Sequence, residues 1–369
     1  MTDAGSTYQV IGLMSGTSLD GLDIALCSFG LTEKNNWDYR ILNAETLPYN
    51  DEWRTKLKNA FLMNAEELCS LSFSFGQYCG LAVKDFLQRH RLKADLVASH
   101  GHTVFHRPDQ GYTLQIGQGS SIAVNCGITT IYDFRSQDVA LGGQGAPLVP
   151  VGDHLLFGQY DACLNLGGFA NISMTDKQKR IAWDICPANI VLNKLAEERA
   201  LNYDPDGRLA SAGCLIPEML EKLEALKYYS GPAPKSLGRE WLEQEVVPIL
   251  NEYSGERTED RLATVCRHIA NRICHDASRH GRKGTMLISG GGANNEFLIR
   301  LIREAYSGQL KIAEPLVRDF REALIFAFLG LLRMRGEVNC LASVTGAVRD
   351  HSSGTMCFAN KSNHDQNEQ

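Results

Sequence analysis

No two of the 11 cysteines stand at Cys-x-x-Cys spacing, and their number is odd. Most lie inside apolar runs, as Cys27 does in Ile24-Ala25-Leu26-Cys27. That pattern argues against a disulfide framework and a thiolate zinc ribbon, and for reduced, buried thiols. A basic excess is also missing: Lys plus Arg number 37 against 43 Asp plus Glu, a formal net charge of −6. Nothing in that balance calls for a nucleic-acid partner. The longest stretch without charge, Tyr112–Tyr132, is rich in Gly, Gln, Ser, Thr and Asn, which makes a poor membrane span. The amino terminus has no basic segment followed by an apolar one, so the expectation is a cytoplasmic protein without a signal peptide. What remains is ordinary globular material, 44% hydrophobic and 22% charged. At about 150 residues per domain, 369 residues predict two domains or slightly more.

Tyr8–Met14 and Leu22–Phe29 read as two strands around Ser15-Gly16-Thr17-Ser18-Leu19-Asp20-Gly21, a hairpin with an open, polar tip. Residues 51–93 carry helical spacing. Leu96–Ser99 reads as a short strand ending on His100, and Thr113–Ile116 and Ile128–Tyr132 as further strands. Three glycines and a proline make Gly142–Pro147 a loop. The strand–glycine–strand device returns at Ala162–Leu166, Gly167-Gly168 and Ala170–Met174. A third strand, Met286–Ser289, runs into Gly290-Gly291-Gly292 and then a helix over Glu296–Ala305. Glu322–Met334 is predicted as a buried helix, and Asn360–Gln369 as a frayed end. The alternation predicts α/β layers, and the repeated device predicts two related halves.

Several stretches could carry chemistry. In Gly16–Gly21, small residues let backbone N–H groups approach a phosphate, with hydroxyl donors from Thr17 and Ser18. Asp20 and Asp23 suit Mg2+ or a sugar hydroxyl between them and that phosphate; alternatively the run is a plain hairpin turn. Gly290-Gly291-Gly292 either lets a flat nucleoside lie against the backbone or makes a tight strand-to-helix turn. His100-Gly101-His102 could hold zinc, as in a metal hydrolase, or serve as hydrogen-bonding imidazoles. Arg135, in Asp133-Phe134-Arg135-x-x-Asp138, could clamp a carboxylate or phosphate, or form a local salt bridge. Asp184, expected at a strand-to-helix junction with Pro187 in the first helical turn, reads as a helix cap or a general base.

Taken together the chain resembles the anhydro-N-acetylmuramic acid kinase family. The resemblance rests on Val10–Gly21 (with Met14-Ser15-Gly16-Thr17-Ser18-Leu19-Asp20-Gly21), His100–Val104, Thr113–Gly117, Asp133–Arg135, Ala140–Pro150, Asn165–Asn171, Ala233-Pro234-Lys235-Ser236, Gly290–Gly292, Glu322-Ala323 and Ser343–Ala347. It implies the α/β, two-lobed actin, Hsp70 and hexokinase-like fold, a duplicated ribonuclease H-like unit with nucleotide in the cleft between lobes. Residues 1–130 with about 345–369 would be one lobe and 131–344 the other. It also implies ATP with Mg2+, an anhydro amino sugar and water as small-molecule substrates, no nucleic acid, no membrane, and a homodimer. By the same resemblance Asp184 and Glu322 are catalytic. Gly16, Thr17, Ser18, Leu19, Asp20, Gly21, Leu22, Asp23, Asn165, Gly167, Gly168 and Gly290–Gly292 meet ATP, with Mg2+ near Asp20. His100, Thr103, Arg135 and Asn189 meet the sugar.

Departures from the family pattern are Ile185-Cys186-Pro187-Ala188, where Thr-Gly-Pro-Gly is commoner, His102 in place of Gln, and Gln118-Gly119-Ser120 in place of an Asp-Asn stretch. Cys186 and Ala188 are expected to be strained if the backbone there keeps φ > 0. Rival readings are a kinase of another anhydro sugar such as levoglucosan, an Hsp70-like nucleotide-gated binding module, and a zinc hydrolase.

Overall fold

The computed structural model describes residues 7–359 apart from 17, 34–35, 177–178, 232–234 and 280–283. Thr17, Ala233, Pro234 and the 360–369 end therefore lie outside the described residues. Twelve strands are present among those described: β1 Thr7–Ser15, β2 Gly21–Leu31, β3 Trp37–Pro48, β4 Leu96–Arg107, β5 Tyr112–Ile116, β6 Thr130–Tyr132, β7 Ala162–Leu166, β8 Phe169–Asp176, β9 Lys179–Pro187, β10 Thr285–Ser289, β11 Gln309–Ile312 and β12 Thr355–Cys357.

The chain divides into two compact units, Met1–Leu156 with Phe320–Gln369, and Phe157–Asp319. The sequence reading divided it after 130 and after 344. Residues 131–156 belong with the first unit because β6 pairs in parallel with β4. Residues 320–344 belong there too, because the helix Pro315–Met334 packs its buried face, Ala323–Leu332, against that sheet.

In the first unit the sheet runs β12-β6-β4-β1-β2-β3, with β5 on β4. β1, β2 and β3 form an antiparallel meander, and β4 and β6 follow in parallel beside β1. In the second unit the order is β11-β10-β7-β8-β9, with β7, β8 and β9 antiparallel and β10 and β11 parallel beside β7. Both units thus place their strands in the order third, second, first, fourth, fifth. This is the ribonuclease H-like topology, present twice.

The central strands read as continuous apolar runs because both faces are covered. Val10, Ile11, Ile24, Ala25 and Leu26 have no exposed surface. At Gly12 the backbone of Pro315–Met334 comes so close that a Cβ would lie 1.9 Å from the Ala323 carbonyl oxygen. Elsewhere the expected elements are adjusted. The 51–93 stretch is two helices, Asp51–Asn59 and Ala65–His90. The second starts where Asn64 and Glu67 make a reciprocal cap. The expected Glu322–Met334 helix begins earlier, at Pro315, and breaks at Phe320, where the units divide. β4 does not stop at Ser99. It kinks at Gly101 and continues to Arg107 because β5 pairs with its outer half.

Candidate active site

In the first unit the β1–β2 hairpin carries the Gly16–Asp23 run, and β1 residue Met14 pairs with Asp23. The tip turns through Leu19 at φ 63, whose N–H reaches the Gly16 carbonyl at 3.3 Å. Asp23 accepts a hydrogen bond from the Thr46 hydroxyl at 2.6 Å. Burial pushes its carboxyl up to about 6; Thr46 opposes the rise, and the neighbouring acids Glu322 and Asp20 add to it. Glu322 keeps part of its surface open, yet burial is the first cause of its own raised pKa. Arg321 and Arg135 pull in the opposite direction.

His100 and Arg135 form one unit of structure. The Nε and Nη2 groups of Arg135 donate to His100 Nε2 at 3.1 and 2.8 Å, and its Nη1 donates to the Gly145 carbonyl at 2.6 Å. His100 Nε2 must then be an acceptor, with the proton on Nδ1, 2.9 Å from the Gly101 carbonyl. Burial and the adjacent guanidinium hold its pKa well below the usual imidazole value. Both groups lie on Phe326. The direct side-chain bonds of Arg135 thus go to His100 and Gly145, while Asp138 acts on it through charge; its own pKa is lowered to about 10 by burial, which Glu322, Cys340 and Asp138 partly offset.

Thr103 sits opposite Gln115 across β4 and β5 and accepts from its side-chain amide at 3.3 Å. His102 turns away from His100: its Nδ1 is 3.0 Å from the Ser15 hydroxyl, which in turn accepts from the Tyr49 hydroxyl. Burial lowers its pKa to about 4. The two imidazoles thus serve different partners, and among the described residues neither belongs to a cluster of metal-ligating side chains.

In the second unit the β7–β8 hairpin, the end of β10 and the start of the helix Asn189–Ala196 converge. The carbonyls of Gly167 and Gly168 accept from the N–H groups of Ala188, Asn189 and Ile190. Asn189 Nδ2 donates to the Leu166 carbonyl at 3.0 Å. Gly290 adopts φ 84, ψ 162, and a Cβ there would lie 2.5 Å from Asn165 Oδ1. A Cβ on Gly291, in contrast, would meet nothing nearer than 4.0 Å. Asn165, Gly167, Gly168, Asn189 and Gly290–Gly292 therefore form one small-residue surface of backbone and amide groups.

Asp184 is not at a junction. It lies inside β9, opposite Asn171, because the β8–β9 ladder continues as far as Phe169 and Pro187. Pro187 closes the strand instead of opening a helix. The helix cap is Ala188, which supplies no side-chain bond, so Asp184 does not cap. Asp184 is half-buried between the buried Trp183 and Ile185, where the register of the β8–β9 ladder shifts by one residue. The Leu237 N–H donates to Asp184 Oδ2 at 2.9 Å. Among the described residues Oδ1 accepts no hydrogen bond. Burial raises the Asp184 pKa, and the Leu237 N–H opposes that rise.

Leu237 and Tyr228, whose hydroxyl donates to the Asp184 carbonyl at 2.6 Å, carried no signal in the sequence. They lie some 50 residues downstream with no motif of their own. The strain expected at Cys186 and Ala188 is absent: neither has positive φ, and Ala188 sits at φ −128, ψ −102.

Residues 8–359 match the family described as anhydro-N-acetylmuramic acid kinase. A protein of that name from Hydrogenovibrio crunogenus is 33% identical over 359 residues, covering 94% of this chain and 97% of the relative. One from Francisella tularensis subsp. novicida is 33% identical, covering 91% and 95%. One from Pseudomonas putida is 35% identical, covering 91% and 96%.

Proposed function

Because the chain belongs to the anhydro-N-acetylmuramic acid kinase family, a family of phosphotransferases, we propose that it uses ATP and water to convert 1,6-anhydro-N-acetylmuramic acid to N-acetylmuramate 6-phosphate and ADP. The reaction belongs to the recycling of cell-wall peptidoglycan and to amino-sugar catabolism. In the anhydro sugar, O6 is tied to C1 and carries no proton, so an ordinary kinase base has nothing to remove. A carboxylate must instead take a proton from water, which attacks C1 and breaks the C1–O6 bond. O6 leaves with the electron pair and takes the γ-phosphoryl group. Attack opposite the leaving oxygen resembles inverting glycoside hydrolysis, and transfer itself needs mainly positioning and charge neutralisation.

Asp184 is the base in this scheme. The observation that carries the reading is its carboxyl group: half-buried on a rigid strand, held at Oδ2 by one backbone N–H and, among the described residues, accepting no hydrogen bond at Oδ1. A raised pKa makes it a stronger base than a surface aspartate. Glu322 is the second catalytic residue, an acid beside the sugar, and Arg135, His100, Thr103 and Asn189 hold the sugar, with the Arg135 guanidinium suited to its lactyl carboxylate. Backbone N–H groups of the Gly16–Asp23 loop and the surface at Asn165, Gly167, Gly168 and Gly290–Gly292 hold ATP. The oxygen donors of Asp20 and Asp23 fit a hard cation, and Mg2+ comes with the nucleotide, neutralising its phosphates. Among the described residues no helix is long and apolar enough to cross a membrane; the reading includes a cytoplasmic location and a homodimer.

The test is incubation with the anhydro sugar, ATP and H2(18)O. ADP release with the label at C1 is expected; absence of ADP refutes the assignment. The altered Ile185–Ala188 loop favours checking levoglucosan beside it, and faster turnover of levoglucosan would reassign the substrate.

A further inference from the structure

Beside Arg135 the first unit holds a buried cluster to which the proposed reaction assigns no role. Asp138, Cys340 and His351 are 0%, 1% and 7% exposed. Cys340 and His351 face each other across a two-residue antiparallel bridge, with both backbone hydrogen bonds at 3.1 Å. Asp138 Oδ1 lies 3.0 Å from Cys340 Sγ and 3.6 Å from His351 Nε2. All three ligand atoms lie within 4.8 Å of one another.

The imidazole tells most. Its Nδ1 is 3.2 Å from the Arg349 carbonyl, which fixes the proton there and leaves the lone pair on Nε2. That Nε2 is buried and, among the described residues, has no hydrogen-bond partner. A histidine whose outer N–H is held by a carbonyl while its inner nitrogen points, unpaired, at a carboxylate and a thiol has the arrangement of a metal ligand. In a tetrahedral zinc site, bonds of about 2.0–2.3 Å put neighbouring ligand atoms about 3.2–3.8 Å apart, close to the 3.0 and 3.6 Å from Asp138 Oδ1 to its two neighbours. Thiolate and imidazole select zinc over magnesium or calcium.

We propose that Asp138 Oδ1, Cys340 Sγ and His351 Nε2 bind a Zn2+ ion, with the Thr345 hydroxyl, 2.8 Å from the same carboxylate oxygen, or a water in the fourth position. Binding exchanges the Cys340 S–H bond for a Zn–S bond, the proton going to solvent, and the two anionic ligands balance the charge. The ion ties the 339–351 segment to the loop that follows Asp138. That loop is already held by the Gly145 N–H on Asp138 Oδ2 and by the Gln144 N–H on the Thr345 carbonyl. The Gly145 carbonyl in turn receives Arg135, so the site is a structural clamp behind a sugar-binding residue.

Full-length protein is stripped with chelator, reloaded with Zn2+, desalted and analysed for metal. About one tightly held Zn2+ per chain is expected, with a rise in Tm. Loading with Co2+ should give a thiolate-to-cobalt charge-transfer band. Cys340→Ser should abolish that band, and His351→Gln should weaken Zn2+ retention about tenfold or more, with circular dichroism checking that each variant is folded. Should either fail to fold, the double variant Cys69→Ser/Cys214→Ser, which removes the two exposed thiols, carries the test: an intact cobalt band supports the site and a lost band overturns it. No retained Zn2+ in the unsubstituted protein, or an unchanged cobalt band in Cys340→Ser, also overturns it.

Discussion

The two units share one strand order and use it differently. In the first, the hairpin and the strands beside it bring ionisable groups together: Asp23, Glu322, Arg135 and His100 perturb one another through burial and charge. In the second, the corresponding hairpin is a pair of glycines, and its surroundings are backbone and amide groups with Asp184 on the neighbouring strand. Topology sets where loops gather and leaves their chemistry free. One copy supplies charge, and the other supplies close backbone approach and one carboxylate on a rigid strand.

The largest expected effect is at Asp184. Asp184→Asn should lower kcat by about 10²–10⁴-fold with the KM values for sugar and ATP little changed, in steady-state assays. The acidic limb of the wild-type rate profile should lie above the ordinary aspartate value of about 3.9, because the raised pKa leaves the base protonated to higher pH. A kcat within a few-fold of wild type in Asp184→Asn would mean that the second unit contributes no base.

Arg135→Ala should act on binding instead. Loss of charge-assisted hydrogen bonds should raise the sugar KM by about 10–100-fold; a change in kcat alone would contradict a binding role for this unit's charges.

Asp23 tests the cost of gathering acids. Its folded pKa, about 6, lies above the ordinary aspartate value of 3.8. Ionisation therefore costs stability above the folded pKa, and the cost fades as pH falls towards the unfolded value. Asp23→Asn should stabilise the fold at about pH 7 by up to about 3 kcal/mol, read as a higher Tm, and the gain should vanish below about pH 4. A gain that persists there would assign it to packing, not charge.

The smallest effects separate the glycines. Gly290→Ala should cost about 1–3 kcal/mol, because a Cβ is strained at φ 84 and crowds Asn165, and should weaken ATP binding in calorimetry. Gly291→Ala, whose Cβ would meet only the Asn189 amide nitrogen at 4.0 Å, should stay within about 0.5 kcal/mol. Equal losses in both would deny the close packing at Gly290.

Much of this was legible in the residues. Apolar runs interrupted by Gly-rich turns located β1, β2, β7, β8 and β10 nearly to the residue, because a strand buried on both faces leaves a plain compositional trace. The failures share a cause. β4 was cut short at Ser99 and Asp184 was moved to a junction because each strand is prolonged by a partner, β5 and β8, that local composition does not reveal. Tyr228 and Leu237 went unseen because a backbone N–H or a hydroxyl that positions an acid needs no special neighbours in sequence.

Order along the chain was thus enough to establish the strands, their glycine-bounded turns and the family, since these follow from local conformational preference and from motifs read in succession. The partners of each charged group were settled by folding. Arg135 meets His100 across 35 residues, and Cys340 meets Asp138 across 202. Burial, hydrogen bonding and pKa depend on which distant segments the two sheets draw together.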